Sequence, residues 1–408
     1  MPLDGIRAID LTTFWAGPQP AAILADFGAE VIKVEAIQRL DPFRAYGAPT
    51  NPTPERVWEW SSLFNAVNRN KRGITLNLTS DEGRDLFKRL LVKSHVVLEN
   101  YSPRVLTQFG LAYEVLREIN PAIVLTSVSG FGQSGPWRDY VSFAAIGEAL
   151  SGISSLTGYT DEGVLLQGVG VSDPYTGLTA AFATLSALYV ARETGKGQHI
   201  DVSQLEASLP FMADALMDFS LNHRTRTRRT NEDPSHAPHG CFPAEGEDNW
   251  IAISVATDAE WQSLLEVMGR PRWGSDEKFA TPLKRYRNRV ELNAMVAEWT
   301  RSQDKEALSR DLQARKVSAA PVRTPSEQLK DPQLEATGFF QYVERKYTGR
   351  HPYPSFPVRL DGVYPRIHRA GPTVGEDNHY VFTELLGLDS SELERLRKAG
   401  VIGTEPIR

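Results

Sequence analysis

Asp173 lies in Gly170-Val-Ser-Asp-Pro-Tyr-Thr-Gly177, a setting that suits a carboxylate to chemistry. Proline is favoured at the first position of a helix, so Asp173-Pro174 predicts an N-cap at Asp173 and a helix beyond it. Two roles follow. As a plain capping carboxylate, Asp173 stabilises the helix by about 1 kcal/mol. As a nucleophile it uses the same position differently. The positive end of the helix dipole and its free N–H groups favour the ionised form, and an apolar helix buries its own start. An ionised, desolvated carboxylate attacks an acyl carbonyl and forms a mixed anhydride. Gly168 and Gly170 offer backbone N–H groups to the oxyanion of that step. Spacing alone leaves both roles open.

A second motif is Val128-Ser-Gly-Phe-Gly-Gln-Ser-Gly-Pro136, with G-x-G-x-x-G at Gly130, Gly132 and Gly135. It follows the apolar run 123–128, which reads as a strand. A dinucleotide site needs its third glycine in the opening turn of a helix, with an acid about 20 residues on. Here Pro136 pushes Gly135 out of the α region. Residues 137–140 have no apolar helical period, and no acid stands at a strand end at that distance. The nicotinamide reading fails on these points. What remains is a glycine-rich loop at the carboxyl end of a parallel strand, where ligands bind in such sheets. The loop Thr12-Thr-Phe-Trp-Ala-Gly-Pro18 holds a single glycine and fails the same test, although Glu35 follows the next strand.

These groups must be positioned by alternating elements. Residues 6–11 and 29–34 predict strands around a helix at 20–27. Residues 73–78 predict a strand, and Ser80 an N-cap for a helix over 81–92. A strand at 95–98 and a helix at 113–119 lead to the strand before the glycines. Helices are predicted at 143–151, 173–192 and 204–221, with Gly195-Lys-Gly197 ending the second and a strand at 198–202 between the last two. Strands alternating with helices imply a mostly parallel sheet in a Rossmann-like layer architecture. Composition then changes. Residues 223–239 read as a linker. A hairpin (241–244 and 250–255, with its turn at 246–249) and amphipathic helices over 258–315 read as a smaller α+β domain. Short strands at 339–343 and 358–360 and helices at 376–386 and 390–399 close the chain. The domain reading is therefore 1–222 for the first part of a large domain, 223–239 linker, 240–323 small domain, and 324–408 returning to complete the large one.

Composition excludes several classes of function. The chain has 408 residues, 41% hydrophobic, enough for roughly two or three domains. It carries 45 Lys and Arg against 51 Asp and Glu, a formal net charge of −6, which argues against general nucleic-acid binding. The run Arg224-Thr-Arg-Thr-Arg-Arg229 reads as a solvated linker. No apolar run approaches the roughly 18 residues of a membrane span, and the N-terminal residues have no signal-peptide anatomy. Cys241 is the single cysteine, so an internal disulfide is ruled out and a cytoplasmic setting is expected. His236 and His239 sit near Cys241 without a full zinc ligand set, and no metal site is expected.

The motifs resemble those of the class III CoA-transferase family, which includes formyl-CoA transferase, carnitine CoA-transferase and the α-methylacyl-CoA racemases. The resemblance runs end to end through "AGPQPAAILADFGAEVIKVE", "FNAVNRNKRGITLNL", "LENYSPRVLTQFGL", "SVSGFGQSGP", "SDPYTGL", "RETGKGQHIDVS", "HGCFPAEGEDNWIAI" and "GPTVGEDN". It implies an α/β fold, a Rossmann-like large domain plus a small domain, in an interlocked homodimer. It also implies transfer of CoA from an acyl-CoA to a free carboxylic acid. Asp173 attacks the donor, an acyl-aspartyl anhydride forms, and exchange proceeds through an aspartyl-CoA thioester. CoA is then a substrate, and no further cofactor is called for. By motif position, Phe14, Trp15 and Ala16 match the pantetheine loop. Leu76, Asn77 and Leu78, with Asn100 and Tyr101, match adenine contacts. Gly130, Phe131 and Gly132 match the loop over the acyl-CoA. Lys71, Arg72 and Arg104 stand close by as phosphate partners, or else as solvated surface cations.

The chain also departs from the family pattern. Many members carry Tyr-Asp, and the racemases His-Asp, where this chain has Phe143-Ala144. Phe143 is neither acid nor base. Racemisation, the alternative activity on this fold, needs proton-transfer groups on both faces of a carbon. Glu148, one turn on, reads either as a second acid or as an exposed helix residue. The glycine-tetrad loop of formyl-CoA transferase is missing from residues 225–238, which argues against formate and oxalate as substrates. Ala36 replaces a basic residue of that enzyme, so the phosphates need other cations. His239 opens a family-like motif and is a pocket candidate. Trp15, Phe143 and Tyr175 point to an apolar acyl pocket. A CoA-binding protein without catalysis is a further reading, opposed by the presence of Asp173.

Overall fold

A sheet of six strands carries the first unit: β1 (Arg7–Asp10), β2 (Glu30–Glu35), β3 (Arg72–Thr75), β4 (Val96–Glu99), β5 (Val124–Ser129) and β6 (His199–Ser203). They lie in the order β3-β2-β1-β4-β5-β6, and every neighbouring pair is parallel. The chain runs outward from β1 to β3 and returns to β4 on the other side of β1. The order therefore reverses between β1 and β4. Loops leaving those strands diverge there and open a crevice at the carboxyl ends. In this computed structural model residues 1–51, 54–160 and 162–407 are described.

A parallel sheet is covered on both faces, so its strands are apolar on both. Ile9, Ile32, Ile74, Val97 and Leu125 pack on one face with Phe87 and Leu90 of helix Asp81–Val92 and with Phe382 and Leu396 near the C-terminus. Ala8, Val31, Val96 and Val124 pack on the other. There they meet Leu24 of helix Pro18–Asp26 and Ala187 and Ala191 of helix Ser172–Thr194. Ser80 caps its helix as its type predicts, its Oγ accepting from Gly83 N at 3.1 Å. Helix Tyr113–Ile119 falls where its pattern places it. Gly195, with φ 70°, ends helix Ser172–Thr194.

Four local expectations are corrected. Asp173 is not an N-cap: the helix begins at Ser172, Val171 holds the cap position, and no side chain makes a capping bond. Ser172 takes the anchoring role, its Oγ donating to Ala144 O at 3.2 Å, which leaves the Asp173 carboxylate free for other partners. Pro174 still sits in the first turn, where a missing N–H costs nothing. The single helix predicted over 204–221 is split into Gln204–Ser208, the 3-10 turn Leu209–Met212 and Ala213–Asn222, because Pro210 interrupts the hydrogen-bond ladder. Residues 358–360, read as a short strand, form only the isolated bridge Leu360–Val363; the second strand of this region is β11 (Gly349–Pro354), which pairs with β10 (Phe340–Arg345). Pro352 and Pro354 disguise β11, since proline is tolerated only on edge strands, and the shorter loop is cheaper to close. The helix predicted over 376–386 forms from Asn378, two residues late, and takes π-type form over Tyr380–Leu385.

Contacts divide the chain into two compact units. One comprises Met1–Ser154, Leu166–Arg226 and Ala336–Arg408; the other comprises Ser155–Leu165 and Thr227–Glu335. The second unit holds three antiparallel strands in the order β7 (His239–Pro243), β8 (Trp250–Ser254), β9 (Ser318–Pro321). The hairpin forms as expected, while the Ala-rich β9 carries no strand signal in sequence. Helices Asp258–Val267, Arg289–Thr300 and Lys305–Ala314 cover the sheet, with Trp261, Phe279 and Leu292 at the centre of the core.

Candidate active site

The loops at the carboxyl ends of β1 to β5 enclose a cavity of about 750 Å³ in the first unit. Its wall includes Phe14 and Ala16 after β1, Glu35, Ala36 and Arg39 after β2, and Leu76, Asn77 and Leu78 after β3. Asn100 and Tyr101 follow β4, Gly130 follows β5, and Asp173 and Gln204 belong to the same lining. The volume falls within the usual size of a small-molecule site.

Buried charge holds the β1 and β2 loops. Lys33 Nζ donates to Thr12 O at 2.7 Å and pairs with Asp41 at 3.0 Å. Asp41 Oδ1 in turn accepts from Phe14 N at 3.0 Å. Phe14 has φ 65°, a left-handed conformation that costs energy in a non-glycine residue and that this bond helps to hold. Asn100 uses both ends of its amide on Thr13, accepting from its N and donating to its O, each at 2.8 Å. Arg44 sits between Glu35 and Glu59, at 2.7 and 3.0 Å, and Arg345 reaches Glu59 at 2.6 Å. Arg44 and its neighbours hold the Glu35 carboxylate down to about 2 against the effect of burial.

Asp173 is placed by three elements. Helix Ser172–Thr194 carries it, and Gly177 lets that helix meet helix Pro18–Asp26, since a Cβ there would stand 2.6 Å from Gln19 Cβ. Gln204 Nε2, at the start of helix Gln204–Ser208, donates to Asp173 Oδ1. Glu148, on helix Ala144–Ser151, is 1% exposed, and its Oε1 accepts from Ser172 N at 3.4 Å. Asp173 is half-buried, and its carboxyl is pushed up to about 6. Burial is the main cause; the Gln204 hydrogen bond opposes it and the nearby Glu148 charge adds to it. No cation pairs with Asp173 or Glu148 among the described residues. Near the same wall, Glu99 is buried and pushed up to about 7, chiefly by desolvation.

The cavity gathers Asp173, Phe14, Ala16, Leu76, Asn77, Leu78, Asn100, Tyr101 and Gly130 of the residues singled out in sequence, together with Phe143. Others lie elsewhere. Lys71 is neither a phosphate partner nor a surface cation. Its Nζ is wholly buried and satisfied by Asp10 and Pro18 O at 2.8 Å and Asn68 at 2.9 Å, and burial pulls it down to about 8. Arg72 opens β3 and so stands at the amino end of the sheet, away from the cavity. Glu30 and Asp377 hold it, and it lies over the Tyr380 ring. Arg104 is exposed, paired with Asp139 at 3.3 Å, and outside the lining. Trp15 packs against the cluster of Phe43, Phe64 and Val67. Phe131 is buried against Trp137 and Tyr140. Gly132 sits beside Asp201 with φ 85°. Glu148 corrects the exposed-residue reading by being buried. Tyr175 packs on Phe211. His239 belongs to the second unit, its Nδ1 2.9 Å from Ser254 Oγ.

Two of the lining residues that escaped the sequence reading bear on the chemistry. Arg39 is exposed and has no carboxylate partner among the described residues. It stands three residues beyond Ala36, close enough to have drawn attention as a replacement cation. Gln204 gave no signal at all. The glycine motif reads as expected: Gly135 opens a turn, and the next helix starts only at Ala144. Gly130 is required sterically, since a Cβ there would stand 2.3 Å from Ser142 Cβ.

The sequence is similar to proteins of one family along most of its length. The model of CoA-transferase family III matches residues 3–378. The succinyl-CoA–D-citramalate CoA-transferase of Chloroflexus aurantiacus is 34% identical over 408 residues, covering 98% of each chain. The succinate–glutarate CoA-transferase of Agrobacterium fabrum is 33% identical, covering 94% of this chain and 96% of its own. The formyl-CoA:oxalate CoA-transferase of Streptomyces coelicolor is 30% identical, covering 98% and 99%. A crystal structure of a CAIB/BAIF family protein from Brucella suis superposes with a TM-score of 0.87 at 31% identity, covering 94% of this chain and 99% of that one. With the parallel sheet, the cavity at its carboxyl edge and these relatives together, the chain is an enzyme of the CoA-transferase type and belongs to CoA-transferase family III.

Proposed function

We propose that the enzyme moves CoA from an acyl-CoA to a free carboxylic acid through covalent intermediates on Asp173. One observation carries this reading. Asp173 is the cavity-lining carboxylate that no cation neutralises, and a value of about 6 leaves it largely ionised at neutral pH. An ionised carboxylate without a counter-ion is a competent nucleophile.

Asp173 attacks the thioester carbonyl, the C–S bond breaks, and CoA thiolate leaves a mixed anhydride. The thiolate then attacks the aspartyl carbonyl. The donor acid departs as its carboxylate, and an aspartyl-CoA thioester remains. The acceptor carboxylate attacks that thioester and releases thiolate, which takes the acceptor acyl group and frees Asp173. Leu76, Leu78 and Tyr101 offer apolar surface for adenine. Arg39 is the cation free to pair with phosphate oxygens, in place of Lys71 and Arg72. Ala16 and the Gly130 loop flank the path to Asp173. Phe14 and Phe143, with ring centroids 5.5 Å apart, line an apolar space for the acyl chain. Racemisation is disfavoured because Phe143 offers no proton.

An interlocked homodimer is part of this reading. Helix Ser172–Thr194 exposes Phe182 (74%) and Tyr189 (69%), and helix Ala213–Asn222 exposes Phe219 and Leu221 (70%). Exposed large apolar side chains in such numbers mark a contact surface. No helix among the described residues is long and apolar enough to cross a membrane. The free Cys241 is in keeping with a cytoplasmic location.

The test is mass spectrometry after incubation with a panel of acyl-CoAs, with hydroxylamine or borohydride trapping. The expected result is a modification mapped to Asp173 and lost in Asp173→Ala. An unmodified Asp173, with solvent deuterium entering the α-carbon of a 2-methylacyl-CoA, would overturn the proposal in favour of racemisation.

A further inference from the structure

The nucleophile's side-chain partner is an amide, and the fold takes trouble to place it. Gln204 is 5% exposed. Its backbone is fixed on both sides. Ser203 pairs with Ser129 across β5 and β6, and Leu205 N donates to Gly130 O at 3.0 Å. Ser203 Oγ caps the helix that Gln204 opens. The side chain runs past Gly147, where a Cβ would come within 3.5 Å of Gln204 Cγ. Its Nε2 reaches Asp173 Oδ1 and stands 3.2 Å from Ser172 Oγ. The charged side chain that acts on Asp173 is Glu148, which repels its negative charge. Among the described residues, therefore, Gln204 is the side chain that favours charge on this carboxyl group.

We infer that Gln204 positions Asp173 for attack and then serves as the hydrogen-bond donor to the aspartyl carbonyl oxygen of each covalent intermediate. The inference rests on the reading of Asp173 as acyl acceptor. An amide bound to Oδ1 leaves Oδ2 to attack the thioester. In the anhydride, Oδ1 has become the carbonyl oxygen. Thiolate attack on that carbonyl carbon forms the C–S bond and puts negative charge on Oδ1. The C–O bond then breaks and the donor carboxylate leaves. The Gln204 N–H already points at Oδ1, so the charge develops against a donor that needs no reorganisation. The return attack by the acceptor carboxylate on the aspartyl-CoA thioester passes through the same oxyanion.

Gln204→Leu keeps the side-chain volume and removes the donor. Losing one preorganised oxyanion donor lowers kcat by about 10²- to 10³-fold, with KM for the acyl-CoA expected to change by less than about threefold. The acid limb of the pH–rate profile moves to higher pH, because the bond that favours ionised Asp173 is gone. A second readout needs no turnover: the pH dependence of carbodiimide labelling at Asp173, mapped by mass spectrometry, moves the same way. Gln204→Met carries both measurements if the leucine variant does not fold. A wild-type Asp173 adduct together with an unshifted profile and unchanged kcat in a folded variant would overturn the role of Gln204 and leave the transferase reading intact. A shifted labelling profile with no acyl adduct in the wild type would support the Gln204–Asp173 coupling but overturn the transferase reading and the oxyanion role with it.

Discussion

The two halves of the parallel sheet treat buried charge in opposite ways. On the β1–β3 side, four cations (Lys33, Lys71, Arg44, Arg345) meet four carboxylates (Asp10, Asp41, Glu35, Glu59) at 2.6–3.0 Å. On the β4–β6 side, Glu99, Glu148 and Asp173 have no cation among the described residues. Glu35 is held down to about 2, while Asp173 is pushed up to about 6 and Glu99 to about 7. Burying an ion is costly unless it is paired. The first half meets that cost with partners and gains a rigid loop scaffold. The second leaves it unmet at Asp173, the carboxylate to which the proposed function assigns the attack on the acyl-CoA. Strongly perturbed groups of this second kind mark functional sites.

The largest expected effect comes from breaking the paired half. Arg44→Met takes the ion-pair partner from buried Glu35 and leaves Glu59 with Arg345 alone, lowering stability by about 3–5 kcal/mol, read by urea denaturation. An unchanged midpoint would show that this lattice does not hold the fold. Arg39, after β2, stands on the first side but outside its ion-pair lattice. Arg39→Ala raises KM for acyl-CoA about tenfold with kcat unchanged, the loss of one charge-assisted bond that binds ground and transition states alike. An unaltered KM would remove Arg39 from the phosphate site.

Next in size is a gain. The folded value of Asp173, about 6, stands above its ordinary 3.8, so the folded state holds the proton more tightly than the unfolded chain does. Stability from this group is present at low pH and is lost as pH rises through about 6. Asp173→Asn should therefore melt above the wild type at about pH 8, with the gap closing towards about pH 4. A lower melting temperature at both pH values would mean that the carboxylate is not strained by burial. The smallest effect sharpens the unpaired half. Glu148→Gln removes a repelling charge, lowers the Asp173 value and moves the acid limb of kcat/KM to lower pH. A limb that stays in place would show that Glu148 is too well screened to tune Asp173.

Much of this was legible along the chain because it is local. Period-two and helical patterns marked five of the six strands of the parallel sheet to within a residue or two and helix Asp81–Val92 with its Ser80 cap; β3 begins as read but ends three residues early. The proline after Gly135 excluded a dinucleotide helix without any structure. The misses share a cause. Lys71 and Arg72 sit in a motif beside the adenine residues, but a strand has two ends. Arg72 stands at the amino end of β3, while Leu76 to Leu78 follow its carboxyl end. Nearness in sequence does not place two residues at one site. β11 was hidden by its prolines and β9 by its alanines, since pairing rather than propensity makes them strands.

What the sequence by itself determined was the family, the alternating α/β order, and Asp173 at the start of a long apolar helix. Each rests on residues within one element or on ordered motifs along the chain. Tertiary structure decided the rest. It moved Asp173 from cap to first turn by giving Ser172 the anchoring bond to Ala144. It buried Glu148 and Lys71, and it brought Gln204, 31 residues further on, against the Asp173 carboxylate. The physical reason is that charge and reactivity depend on what surrounds a group in space. Those surroundings are assembled from β1 to β6 by crossovers that no local pattern encodes.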